Sequence, residues 1–137
     1  MFKRRLQKGF ATLEVILMVM VIGILASIAI PRFSSVTTAA NTAKIQSDLA
    51  TIDTAIAIHN MEKGTAISSV NDLSDYLQDA ANIKPPVGKT YAKRSDTVTE
   101  LTITDSDVYE FQEIDGELRA VLKGYTSGEF TTKKSDT

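Results

Sequence analysis

Residues 10–30, FATLEVILMVMVIGILASIAI, form a run in which only Thr12, Glu14, Gly23 and Ser27 interrupt the apolar pattern. Wound as an α-helix, 21 residues reach about 31 Å, the thickness of a bilayer's hydrocarbon core. The residues ahead of it, MFKRRLQKG, hold Lys3, Arg4, Arg5 and Lys8 and no acid, whereas the chain beyond is acidic. The positive-inside bias then keeps the N-terminus in the cytoplasm and sends the rest across a single span. A secretory signal peptide has a shorter apolar core and a small-residue cleavage site after it, and Pro31-Arg32-Phe33 is a poor one. A plain signal anchor leaves Glu14 unexplained. A carboxylate in an apolar helix costs a few kcal/mol on insertion scales, and such a residue ordinarily has a partner and a purpose. In the second turn it can also snorkel toward the interface, so a tolerated interfacial acid is the competing reading.

The residues KGFATLE followed by the apolar run resemble the processing motif of the type IV pilins and pseudopilins. That resemblance implies a prepilin leader over residues 1–9, removed by prepilin peptidase between Gly9 and Phe10, with N-methylation of Phe10. It makes Glu14 the fifth residue of the mature chain, where the family places its assembly glutamate, and Gly23 and Pro31 fall where pilins usually carry a glycine and a proline. It covers residues 8–33 closely; Ala11-Thr12-Leu13 departs slightly from the commoner Thr-Leu-Ile. The chemistry is consistent: cleavage creates a positive amine at Phe10, able to neutralise Glu14 of a neighbouring subunit and fix their register. Gly23 and Pro31 weaken a helix by about 1 and 3 kcal/mol relative to alanine, so a kink or locally melted stretch is expected between them. Filaments of the family unwind there; a membrane-exit kink is the alternative.

The 137 residues contain no cysteine, which excludes disulfide scaffolds, thiolate metal sites and thiol catalysis, and His59 is the only histidine. The formal charge of −2 argues against nucleic-acid binding by bulk charge. That value spans the expected cut. Removing the four cations of residues 1–9 from 15 leaves 11 basic against 17 acidic side chains, or −6.

From residue 31 to 63, Ile45, Leu49, Ile52 and Ile56 recur at steps of four and three, and His59 continues the stripe. This is the amphipathic half of one long helix running to about Lys63, with Gly64 as its stop. The first half, 10–30, is membrane anchor and then filament core. Residues 64–137 form a head. Ser69 to Ala80 reads as a short helix, with Leu73, Tyr76, Leu77 and Ala80 on one face. Pro85-Pro86-Val87-Gly88 then forces a loop. Alternating apolar positions, Leu101/Ile103, Tyr109/Phe111 and Leu118/Ala120/Leu122, predict an antiparallel meander of three strands, or four with residues 125–131, and Asp115-Gly116 marks a hairpin. The tail Thr131–Thr137 reads as polar and frayed. The fold class is therefore α+β, a long N-terminal helix on a small antiparallel sheet of three to four strands, which is also the architecture the pilin resemblance implies.

Catalytic motifs are lacking: the sequence shows no nucleophile elbow, glycine-rich phosphate loop or HExxH, so the reading is a structural subunit with no cofactor and no metal. Asp105 and Asp107, with Asp96 and Glu100, lack a glycine-marked calcium pattern and read as turns with solvated acids. His59 reads as a boundary residue, not a ligand. Lys84, Lys89, Lys93 and Arg94 beside Tyr91 suit phosphate contact, as a DNA-uptake filament would need; a solvated loop balancing nearby acids is the competing reading. The expected partners are further copies of the chain in a helical homopolymer, the prepilin peptidase, a pilus or secretion assembly platform and, before assembly, the inner or cytoplasmic membrane. The mature form is expected in an extracellular or periplasmic filament serving adhesion, twitching motility or DNA uptake. The alternatives are a pseudopilin of a type II secretion or competence system and a membrane-anchored binding domain that never polymerises.

Overall fold

A computed structural model describes the backbone of residues 2–132 and the side chains of residues 8–29 and 33–132. Most of the expected leader's side chains, the side chain of Pro31 and residues 133–137 of the expected tail lie outside that description. The chain forms two compact units, Met1–Val36 and Thr37–Thr137.

The first unit is the N-terminal part of helix α1 (Phe2–Glu62). Every side chain from Phe10 to Ile28 is exposed. A helix that is apolar on all sides suits lipid or a bundle of other helices, and this one is long and apolar enough to cross a membrane. Its polar interruptions are satisfied locally: Thr12 Oγ1 donates to the Lys8 carbonyl at 2.9 Å and Ser27 Oγ to the Ile24 carbonyl at 2.7 Å. Helical backbone continues through Gly23 and Pro31.

In the second unit the remainder of α1 turns one face inward. Ile45, Leu49, Ile52, Ile56 and His59, the stripe expected from spacing, are all buried, and the line continues backward through Thr42 and Thr38. Each such aliphatic side chain is worth about 1.5–3 kcal/mol on burial. The helix stops where Gly64, at φ 60°, donates its amide to the His59 carbonyl at 3.2 Å.

Five strands follow: β1 (Gly88–Arg94), β2 (Thr97–Ile103), β3 (Glu110–Ile114), β4 (Glu117–Val121) and the two-residue β5 (Phe130–Thr131). They form two antiparallel sheets, one ordered β2-β1-β5 and one of β3 with β4. The α+β class holds: a long helix packed on a three-stranded sheet plus a two-stranded one. Asp115 and Gly116, both at positive φ, make the β3–β4 turn, with Ile114 opposite Glu117. All seven apolar positions assigned to the inner face, from Leu101 to Leu122, join the core.

Three details differ from the sequence reading. The sequence reads the basic stretch as a loop, yet β1 alternates buried Thr90 and Ala92 with outward cations and pairs along its full length with β2. The meander is broken, because residues 104–109 lead away from β2 instead of reversing beside it. The short helix at 69–80 is replaced by two single 3-10 turns, Val70–Leu73 and Ala80–Asn82. The Asp72 carboxylate caps the first by accepting the Ser68 and Ser69 amides at 2.8 and 2.9 Å, and Asp79 at φ 57° breaks the path into the second. Gly88, at φ 131°, is required where β1 crosses the helix: a Cβ there would lie 2.7 Å from Asn41 Nδ2.

Candidate functional site

Phe10 and Glu14 stand four residues apart on α1 and therefore share a face. Phe10 is exposed, as are all its apolar neighbours down to Ile28. The Glu14 carboxylate forms no ion pair among the described residues. A Cβ added at Gly9 or Gly23 would meet nothing within 4 Å. Packing among the described residues asks for glycine at neither place, nor for an acid at residue 14.

The head is fastened to its half of α1 by polar side chains flanking the buried stripe. Asp53 accepts the Ala120 amide at 2.7 Å and the Arg119 guanidinium at 2.9–3.0 Å. Asp48 accepts the Tyr109 hydroxyl at 2.7 Å and pairs with Lys44. Gln46 Nε2 donates to the Phe130 carbonyl at 2.7 Å, Ser127 Oγ to the Gln46 carbonyl at 2.9 Å, and Asn41 Nδ2 to the carbonyls of Val87 and Lys89. Inside, the Thr42 and Thr90 hydroxyls meet at 2.8 Å. Sequence reading missed these clips, because Asp48 and Asp53 look like any acid on a solvated helix flank. His59 is 3% exposed, with Nε2 3.4 Å from Thr65 Oγ1 and its ring edge-on to Tyr76.

Three of the four cations singled out lie on β1 and are already paired: Lys89 with Glu100 at 2.6 Å, Lys93 with Asp96 at 3.9 Å and Arg94 with Glu129 at 2.7 Å. A phosphate would have to compete with these carboxylates. Lys84 stands apart in the preceding loop. Arg94 also donates to the Gly124 carbonyl at 2.6 Å and lies over the Tyr125 ring at 4.6 Å. One guanidinium thus holds Gly124–Glu129 against β1, the C-terminal closure that a chain without cysteine cannot make with a disulfide.

Salt bridges and caps make this closure sensitive to acid. Arg94 holds the Glu129 carboxyl below the usual carboxylate range. The Thr104 amide, then Lys123, does the same for Asp107, and the Ser68 and Ser69 amides for Asp72. Lowered folded-state values stabilise fully above the unfolded carboxylate pKa, about 4, and that contribution is lost as pH falls through them. The melting temperature of the detergent-solubilised chain, followed by circular dichroism, is expected to hold from about pH 7 to 5 and fall below about pH 4. Glu129→Gln should flatten part of that fall; a melting temperature constant to pH 3 contradicts the account.

An apolar, fully exposed N-terminal helix continuing into an amphipathic half that carries a small antiparallel head is a pilin-like α+β architecture. Over 55 residues, 40% of its length, the chain is 38% identical to the type IV narrow pilus major component PilA5 of Thermus thermophilus. The match spans about half of that curated relative, 47% of its length. The resemblance to the type IV pilin family is borne out by this match. No family model matches the chain, and no solved structure does.

Proposed function

We propose that this chain is the structural subunit of a type IV pilus-like filament. The precursor sits in the inner or cytoplasmic membrane, prepilin peptidase cuts it between Gly9 and Phe10, and Phe10 is N-methylated. The mature subunits polymerise head-to-tail through their N-terminal helices, with Glu14 taking the Phe10 amine of a neighbour. The observation that carries this reading is an apolar helix, exposed on every side, whose single carboxylate lies one helical turn beyond a Gly–Phe junction. Fibres would bury that surface and neutralise that charge. The stretch from Gly23 to Pro31 is then the place where the helix unwinds under assembly. The relative's role as a major pilus component favours the long-pilus form over a pseudopilus.

Mass spectrometry of the chain from its native membrane should find a mature protein beginning at N-methylated Phe10, with the chain present in sheared surface fibres. Retention of residues 1–9 rules the reading out. A processed chain absent from surface fibres points instead to a pseudopilus.

A further inference from the structure

The head carries a groove of mixed polarity and a loop that exposes one valine and one lysine. The groove, about 660 Å³, lies between the last turns of α1 and the β3–β4 turn. Ile56, Ala57 and Leu118 line it beside Asp53, Asn60 and Arg119, Met61 stands at its rim 86% exposed, and Glu117 borders it. The loop is Lys84-Pro85-Pro86-Val87, in which Pro85 is buried, Pro86 half-buried, and Lys84 and Val87 exposed. Its prolines fix the backbone, its Val87 carbonyl is held by Asn41, and the Val87 side chain is 56% exposed. Lys84 and Glu117 are both exposed, and neither is in an ion pair among the described residues, since the Arg119 guanidinium beside Glu117 is committed to Asp53.

We propose that the Lys84–Val87 loop of one subunit docks into the α1/β3–β4 groove of a second copy of this chain, with Val87 against Met61 and Lys84 against Glu117. The inference rests on the filament reading above. A subunit cannot fill its own groove, because the loop is anchored at the level of Asn41 and the groove is centred near Ala57. Sixteen helical residues separate these by about 24 Å along the axis. A contact that repeats along a fibre is heterologous and needs two different, complementary patches displaced along that axis. A loop with one exposed valine and one cation, and a groove edged by one exposed methionine and one anion beside the Asp53–Arg119 pair, meet that requirement. The rigid diproline loses little freedom on docking, and methionine adapts to the shape of what it receives.

The absence of native cysteine makes the test direct. Fibres assembled from a Val87→Cys, Met61→Cys double variant should, on mild oxidation, give a ladder of covalent oligomers on non-reducing gels. Co-assembled single variants should stop at dimers, and either single variant alone should give neither. Both positions are exposed, so the head should fold. Fibres without cross-links overturn the docking and leave the filament reading intact; failure of the unmodified chain to form fibres overturns that reading itself. If the double variant does not assemble, charge reversal decides. Lys84→Glu or Glu117→Lys alone should lower fibre yield about fivefold at low ionic strength, and the two together should restore it to within about twofold. Additive losses without rescue refute the contact.

Discussion

Glu14→Ala is expected to abolish fibres while leaving a folded head in the membrane. The proposed pair joins the Glu14 carboxylate to the Phe10 amine of the next subunit, inside a sheath of helices that excludes water. Two unit charges about 4 Å apart at an effective dielectric of about 20 attract by about 4 kcal/mol. Losing that at every subunit raises the concentration needed for assembly about a thousandfold. Alanine also removes the cost of placing a carboxylate among lipid tails, so the isolated subunit is, if anything, more comfortable in the bilayer. Its failure would therefore be a failure of association. Glu14→Gln, which keeps the hydrogen-bonding shape and loses the charge, should fail nearly as badly if charge neutralisation is the mechanism. Quantifying the chain in sheared fibres against the membrane fraction reads the effect, and normal fibre yield from Glu14→Ala ends the idea. Melting of the head should not move, because residue 14 is not a member of the head's core.

The parts of the molecule that were legible in the sequence are those where one physical demand dominates. A long apolar run reads as a helix, and it is one. The steps of four and three from Ile45 to His59 do too, because water must be excluded from one side of a helix. Asp115-Gly116 stood out because a two-residue hairpin turn needs positive φ at both positions, and both residues adopt it. β1 was hidden by composition. Its inward residues are Thr90 and Ala92, one polar and one small, while its outward residues are cations. Thr90 is buried because Thr42 across the interface offers a hydroxyl, a pairing 48 positions away in the chain that no local pattern announces. The strand order was obscured similarly. Asp105-Ser106 does make a turn, but the chain leaving it carries the Tyr109 hydroxyl to Asp48 on the helix instead of returning along β2. Asp48, Asp53 and Gln46 were invisible as clips because a flanking acid or amide has the same sequence signature whether it faces water or a strand's backbone. The candidate assembly residues Gly9, Phe10 and Glu14 rest on the sequence alone, because none of them belongs to the head's core.

Leu49→Ala should cost the head about 2–5 kcal/mol, the usual range for removing a buried leucine where the surroundings cannot collapse. Leu49 has no exposed surface and lies at the centre of the stripe, between Ile45 and Ile52, against the core that both sheets supply. The flanking clips resist collapse. Asp48 is fixed by Tyr109 and Asp53 by Arg119 and the Ala120 amide, so the helix cannot slide toward the strands to close a cavity without breaking them. Domains of this size hold about 5–15 kcal/mol in total, and each kcal/mol moves the melting temperature of a roughly 100-residue unit by about 4–8 °C. A drop of at least about 8 °C in the detergent-solubilised chain is therefore expected. Ala50→Ser, one residue on and facing solvent, should change stability by no more than about 0.5 kcal/mol. If the two substitutions proved equally mild, the head would not be held by the α1 stripe, and the antiparallel sheets would have to be stable without it. A two-stranded sheet such as β3–β4 is at best marginal by itself in water, and for that reason the larger loss is expected at Leu49.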